Sequence, residues 1–175
     1  LDGTGRHLLG KVIESAERMG ILVDDLLNLS RIGRSTIEHK KVDLQALAEE
    51  ILQEIQDQFP DTQLEVTFEE IPPTTGDETL LRQVLINLIS NAYKYQDKQK
   101  IRSFLRFGGR IEPEQHVYFL QDNGIGFDPS KNEKLFKVFE RLYTDTDIPG
   151  TGVGLATVRR VVERHGGQTW AEGIP

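Results

Sequence analysis

Glycine is concentrated at two places in this chain, Asp122-Asn123-Gly124-Ile125-Gly126-Phe127 and Gly150-Thr151-Gly152-Val153-Gly154-Leu155-Ala156, and an asparagine-bearing helical segment, Asn87 to Tyr95, lies upstream of both. Glycine permits positive φ and lets backbone N–H groups come close to a ligand. A run of such amides that opens a helix forms an anion site, because the helix N-terminus leaves its donors unpaired. The second cluster leads straight into an apolar-periodic segment, Leu155 to Val162, which turns its amides toward phosphates. Asp122 supplies a different chemistry, a carboxylate able to accept a hydrogen bond from an exocyclic amine. Together these features point to a nucleotide.

Neither cluster is specific alone, since Asp-Asn-Gly is also strong turn chemistry and the first cluster reads equally as a hairpin turn. The familiar alternatives lack their partners. No Gly-x-x-x-x-Gly-Lys-Ser/Thr occurs, which excludes a P-loop. The second cluster reads Gly-x-Gly-x-Gly with no strand directly before it, unlike the dinucleotide fingerprint. A net charge of −7 argues against nucleic acid as a partner, and the short basic run Lys98 to Arg102 reads as a solvated loop. The absence of cysteine removes disulfides, thiolate metal sites and cysteine nucleophiles together. No apolar stretch approaches the roughly 20 residues that cross a bilayer, and no signal peptide is visible, so a cytoplasmic piece without membrane contact is expected.

At 175 residues, the chain suits one medium domain with an appendage. Leu9, Val12, Ala16, Met19, Val23 and Leu26 step by alternating threes and fours, the heptad spacing that keeps one seam toward a neighbouring helix. Leu8, Ile13, Leu22 and Leu27 widen that face as a bundle requires, and Gly33 ends the helix. Lys40 to Asp43 reads as a first strand. Leu44 to Phe59 is an amphipathic helix capped by Asp43 and ended before Pro60. Gln63 to Glu69 alternates as a half-buried strand, and Asp77 caps a long helix with the stripe Leu81, Val84, Leu85, Leu88, Ile89, Ala92. Strands over 101–111 and 116–121, helices over 132–141 and 152–165, and a short strand near 169–171 complete the expected elements. Phe136 and Phe139, spaced i,i+3, read as core residues, and His165 before Gly166-Gly167 reads as a helix-end cation. The best match is an α+β fold in two layers, helices covering one face of a mixed sheet.

The order of parts resembles the sensor histidine kinases. Their N box, first glycine box, phenylalanine box and second glycine box correspond to Asn87 through Tyr95, Asp122 through Phe127, Leu135-Phe136-Lys137-Val138-Phe139-Glu140-Arg141, and Gly150 through Ala156. Arg141-Leu142-Tyr143-Thr144, followed by Pro149-Gly150-Thr151-Gly152, is similar to the phytochrome-like branch with a short lid. The resemblance implies the sandwich shared by histidine kinases, gyrase and chaperone ATPases. It makes residues 1–34 the second helix of a dimerisation hairpin, 35–43 a linker with the first strand, and 44–175 an ATP-binding catalytic domain cut before its last strand. It further implies a homodimer formed through the hairpin and a response-regulator receiver domain as partner.

Asn87, Asn91 and Lys94 fall at i, i+4 and i+7, one turn apart on one face. As isolated residues they are ordinary solvent-facing polar positions; the motif order makes them a site. The Asn91 amide oxygen is then a hard neutral ligand for the Mg²⁺ that accompanies ATP, and Lys94 a mobile cation for phosphate. Tyr95 offers a ring to the base, while Asn87 either supports Asn91 or touches phosphate. The resemblance gives Asp122 the adenine amino group, an acceptor that guanine, with its carbonyl there, would oppose at a cost of about 1–3 kcal/mol. Gly124 and Gly126 let the backbone approach the base. Gly150, Thr151, Gly152, Val153, Gly154 and Leu155 wrap the phosphates under a lid from Leu142 to Pro149, whose Asp145 and Asp147 face solvent, with Arg141 the nearest cation. Phe136 and Phe139 become lid anchors.

None of the 4 histidines stands in the family's phosphoacceptor context, so the acceptor is expected elsewhere. Two other readings compete. ATPases of the gyrase, mismatch-repair and chaperone type carry a glutamate base where Asn87 stands, and an amide cannot take a proton from water. A decayed kinase serving as a dimerisation module is the third reading; the intact boxes argue against it.

Overall fold

The computed structural model describes residues 3–33, 36–60, 62–97, 99–143, 148 and 150–174. Helix α1 (Gly3–Ile32) comes first, then β1 (Lys40–Val42) and α2 (Leu44–Gln56). They are followed by β2 (Leu64–Phe68), β3 (Thr74–Gly76) and α3 (Glu78–Lys94). Strands β4 (Ser103–Ile111) and β5 (His116–Asp122) precede a short 3-10 turn at Pro129–Lys131, α4 (Asn132–Leu135) and α5 (Gly154–Arg164). The larger sheet runs β2-β4-β5, with β2 parallel and β5 antiparallel to β4. Its mixed character and the helices α2 and α3 packed on it give the expected two-layer α+β arrangement.

Apolar periodicity builds the core. Leu44, Leu47, Ala48, Ile51 and Ile55 of α2 are buried together with Leu85, Ile89, Ala92 and Tyr93 of α3 and Leu105 and Phe107 of β4. Each fully buried aliphatic side chain in such a cluster contributes about 1.5–3 kcal/mol. The caps expected from sequence are present: Asp43 Oδ1 accepts from the Gln45 and Ala46 amides at 3.1 and 3.0 Å, and Asp77 Oδ1 from the Leu80 amide at 3.1 Å. A smaller cluster joins Leu80 and Val84 of α3, Val158 and Val161 of α5, and Ile32 at the end of α1.

Among the described residues, α1 is buried against the domain at its C-terminal end, at Ile32. Gly33 ends it, with its N–H donated to Ser30 at 3.1 Å. The Arg164 guanidinium on α5 donates to the Ile32 carbonyl, fixing an otherwise orphaned acceptor of α1. Leu9, Val12, Met19, Val23 and Leu26, the heptad seam, are all exposed.

Four details depart from the sequence reading. The helix expected over 132–141 stops at Leu135, and Phe139 adopts φ +66°, a left-handed conformation no helix contains. The Phe139 N–H donates instead to the Gly152 carbonyl at 3.0 Å, and the ring is exposed rather than in the core. No strand forms at 169–171; that segment is held by the Asn132 side chain, which donates to the Ala171 carbonyl at 2.9 Å, and not by a ladder. His165 is not the expected cation in this arrangement. Its Nε2 accepts from the Asp77 amide at 3.0 Å while Nδ1 lies 2.8 Å from the Val161 carbonyl, the pattern of a neutral ring protonated at Nδ1. Finally, β3 pairs antiparallel with β1, a strand hidden in the sequence behind Pro72-Pro73.

Candidate nucleotide cleft

The C-terminal half of α3 forms one wall of an extended open cleft that runs from Asp25 on α1 past the second glycine cluster to the end of β5 and continues beneath the helices to Leu44 and Val117. Asn87, Asn91 and Lys94 line it from one face of α3, at i, i+4 and i+7, and Tyr95 joins them at its C-cap. Asp122 and Gly126 line the adjoining wall at the end of β5, and Arg141 and Gly150 through Leu155 close the other side. Thirteen of the fourteen residues singled out from sequence therefore border one cleft; Gly124 stands just behind it and acts through the backbone.

The Asp122 carboxylate is oriented by an Asx turn. Its Oδ1 accepts from the Gly124 N–H at 2.8 Å, while Oδ2 has no hydrogen bond to the described residues and is available to a ligand. Gly124 is demanded by close packing, since a Cβ there would sit 2.2 Å from the Tyr95 carbonyl oxygen. That same carbonyl accepts from the Ile125 N–H at 2.9 Å, which fastens the first glycine cluster to the end of α3. Asn123 extends the fastening: its Oδ1 accepts from the Phe104 N–H at 2.8 Å and its Nδ2 donates to the Arg102 carbonyl at 2.9 Å. Tyr143, which sequence reasoning used only as a branch marker, donates its hydroxyl to the Gly126 carbonyl at 2.5 Å. Its ring lies 6.3 Å from that of Tyr95, so the two tyrosines flank one side of the cleft.

The second cluster is held differently. Gly152 adopts φ +74°, and its carbonyl accepts from Phe139. Val153 is buried and starts α5 without any side-chain cap, so the first-turn amides of α5 open where Gly150 to Leu155 line the cleft. Gly154 packs on Asn87, whose Oδ1 is 2.6 Å from where a Cβ would stand. The Asn87 Nδ2 donates back to the Gln83 carbonyl at 2.8 Å, so Asn87 joins α3 to the second glycine cluster. The Asn91 amide makes no hydrogen bond to the described residues. Burial pulls the Lys94 ammonium below its usual pKa, and the Asp25 carboxylate of α1 pulls it back up. Arg141 donates to the Ile148 carbonyl at 2.6 Å, bridging the two ends of the expected lid. The lid residues Asp145, Asp147 and Pro149 lie outside the described residues.

Asp25 escaped sequence reasoning. It occupies a polar position of a helix read for its apolar seam, and nothing local marks it as a neighbour of Thr151. Its Oδ2 accepts from the Thr151 hydroxyl at 2.5 Å.

An uncapped helix behind a glycine loop, an oriented aspartate and an amide-lined helix on one cleft define an ATPase-type nucleotide domain. A family model described as histidine kinase-, DNA gyrase B-, and HSP90-like ATPase matches residues 76–175, and the chain belongs to that family. Phytochrome-like protein Cph1 of Synechocystis sp. is 29% identical over 175 residues, covering 100% of this chain and 23% of Cph1. The methanogenesis regulatory histidine kinase FilI of Methanothrix harundinacea is 34% identical over 165 residues, covering 94% of this chain and 18% of FilI. The crystal structure of full-length ShkA in complex with AMPPNP matches with a TM-score of 0.69 at 25% identity, over 99% of this chain and 38% of ShkA. The chain thus spans about a fifth of the length of these curated relatives. It is an ATP-binding catalytic domain of the histidine kinase type, homologous to sensor histidine kinases, and the hydrolytic alternative is not favoured. No described helix is long and apolar enough to cross a membrane.

Proposed function

We propose that the parent protein transfers the γ-phosphoryl group of ATP to a histidine, and from there to a response-regulator aspartate, with this chain supplying the nucleotide site. The observation that carries this reading is the common cleft of Asp122, Asn91, Lys94 and the second glycine cluster. Asp122 Oδ2 accepts from the adenine amino group, while Tyr95 packs beside the base. Lys94, the Thr151 hydroxyl and the α5 amides hold the phosphate tail, with Arg141 at the lid side. These groups lie along a strand end and two helices, a frame rigid enough to fix phosphate orientation, which is most of what phosphoryl transfer requires.

The fit for a divalent cation is good: Asn91 presents on the cleft an amide oxygen with no hydrogen bond to the described residues, beside the proposed phosphate groups, and a neutral oxygen ligand with phosphate oxygens suits Mg²⁺. Bound there, the ion would neutralise charge building on the phosphate oxygens. Lys94 is suited to the same task because burial disfavours its charge more than Asp25 restores it, which leaves an ammonium that a phosphate would stabilise further. Asn87 has no proton-accepting group, so water is not activated and the γ-phosphoryl is kept for an external nitrogen nucleophile. The exposed apolar seam of α1 fits a homodimer built through a helical hairpin, and the cytoplasm is the compartment in which ATP and a receiver domain are both at hand.

Calorimetric titration tests the reading. Mg-ATP is expected to bind and Mg-GTP not; Asp122→Asn should lose about 5- to 150-fold in affinity, the factor for one unpaired polar group. Asn91→Ala should bind ATP equally with Mg²⁺ or with EDTA. Steady phosphate release that disappears in Asn87→Ala would instead establish a hydrolase.

A further inference from the structure

Helix α1 does more at this cleft than lead up to the domain. The cleft wall that α1 contributes includes Glu14, Glu17, Arg18 and Asp25, a face with three acids against one base. Asp25 reaches furthest in. Its Oδ2 takes the Thr151 hydroxyl proton donor at 2.5 Å, within the glycine cluster. It is also the anion that Lys94 senses, raising a pKa that burial lowers. A hydroxyl donor and a half-buried ammonium are the partners a phosphate oxygen would want; here a carboxylate of α1 holds the hydroxyl and lies on the same cleft as the ammonium, close enough to act on its charge.

We propose that Asp25 is a built-in anion mimic that competes with the nucleotide phosphates for Thr151 and Lys94, making Asp25 an affinity-determining residue of the site. The inference rests on the phosphate-side assignment made above. The carboxylate and a triphosphate are like charges, so they cannot share these two partners without strong repulsion in a partly desolvated cleft. Seating of Asp25 and binding of ATP are therefore antagonistic. Antagonism of this kind is reciprocal: ATP loosens α1 from Thr151, and any displacement of α1 raises ATP affinity by the same factor. The second attachment of α1, Ile32 in its buried cluster with Arg164 on its carbonyl, stays in place and serves as the pivot.

The experiment compares the whole chain with its Asp25→Asn and Asp25→Ala variants, using Asp24→Asn as a control one residue away on the exposed face of α1. Circular dichroism establishes that each is folded. Calorimetry with Mg-ATP is expected to give about tenfold tighter binding for both Asp25 variants, inside the roughly 5- to 150-fold range of coupled sites, and no change for Asp24→Asn. Adenosine, which carries no phosphate, should bind all four proteins alike. Hydrogen exchange of wild type should quicken around residues 21–28 when Mg-ATP is added. If wild type binds ATP through Asp122 but the Asp25 variants bind it equally or more weakly, the mimic is wrong and the nucleotide site stands. If wild type and Asp122→Asn are alike in binding no nucleotide, the site assignment has failed and the mimic fails with it.

Discussion

The two glycine clusters serve one cleft yet are built in opposite ways. The first is fastened at every step: Gly124 under the Tyr95 carbonyl, Ile125 hydrogen-bonded to it, Asn123 bridging to β4, and Tyr143 on Gly126. The second is anchored at its helix end, where Val153 is buried and Gly154 packs on Asn87, but is open at Gly150. A Cβ at Gly150 would meet nothing within 4 Å, and the attachments of Gly152 and Thr151 run to Phe139 and to α1, not to the sheet. The difference follows what each end must recognise. A planar base calls for a fixed acceptor at one distance, which a pre-organised turn supplies. A flexible phosphate tail is met by a loop with one open end, and an end with no packing partner moves at low cost.

Substitutions can break this contrast, and the largest effect belongs to the fastened side. Gly124→Ala places a methyl 2.2 Å from a backbone oxygen that cannot retreat without unfastening α3. A loss of about 3 kcal/mol in unfolding free energy, read from urea denaturation, is expected. Gly152→Ala comes next: its φ of +74° costs an L-residue about 1–2 kcal/mol. Gly150→Ala should change stability by less than about 0.5 kcal/mol, because the added methyl has open space. If Gly150→Ala proved as damaging as Gly124→Ala, the contrast would dissolve.

Lys94 sharpens the comparison from the phosphate side. Burial lowers its pKa in the folded chain below the unfolded value, so the cost of holding the charge is present at neutral pH. That cost is relieved as pH rises through the folded value toward the unfolded one. Lys94→Met is accordingly expected to raise stability at neutral pH, lose that advantage in the alkaline range, and weaken ATP binding throughout. Denaturation at two pH values and a binding titration check both halves. The smallest effect should come from the β4–β5 turn, away from either cluster. There the Gln115 side chain, and after it Arg110, hold the half-exposed Glu112 carboxyl below its usual range. Its contribution is present above the ordinary carboxylate range and lost as pH falls through the folded value, so Glu112→Gln should slightly flatten the acid limb of the stability profile.

Much of the architecture could be read from residues alone because its signals are local. Apolar spacing of 3.6 marked α2 and α3, alternation marked β2, and Asp43 and Asp77 announced their helices through bonds to amides two or three residues on. The motif order picked out fourteen residues, thirteen of which line the cleft. Local signals failed where a distant partner overrode them. The i,i+3 phenylalanines suggested a continuing helix, but Gly152 takes the Phe139 amide and turns the chain left-handed. His165 beside two glycines suggested a cation, but the Asp77 amide, 88 residues away in sequence, requires its lone pair.

Sequence by itself thus determined the long helices α1, α2, α3 and α5 and the strands β1, β2, β4 and β5, with Asp43 and Asp77 marking helix starts. Those properties depend on side chains within one or two turns of each other. Tertiary structure alone decided that Asp25 meets Thr151 across 126 positions and that its charge reaches the half-buried Lys94. Such encounters depend on how helices pack against one another, and no spacing within α1 encodes which loop it will touch.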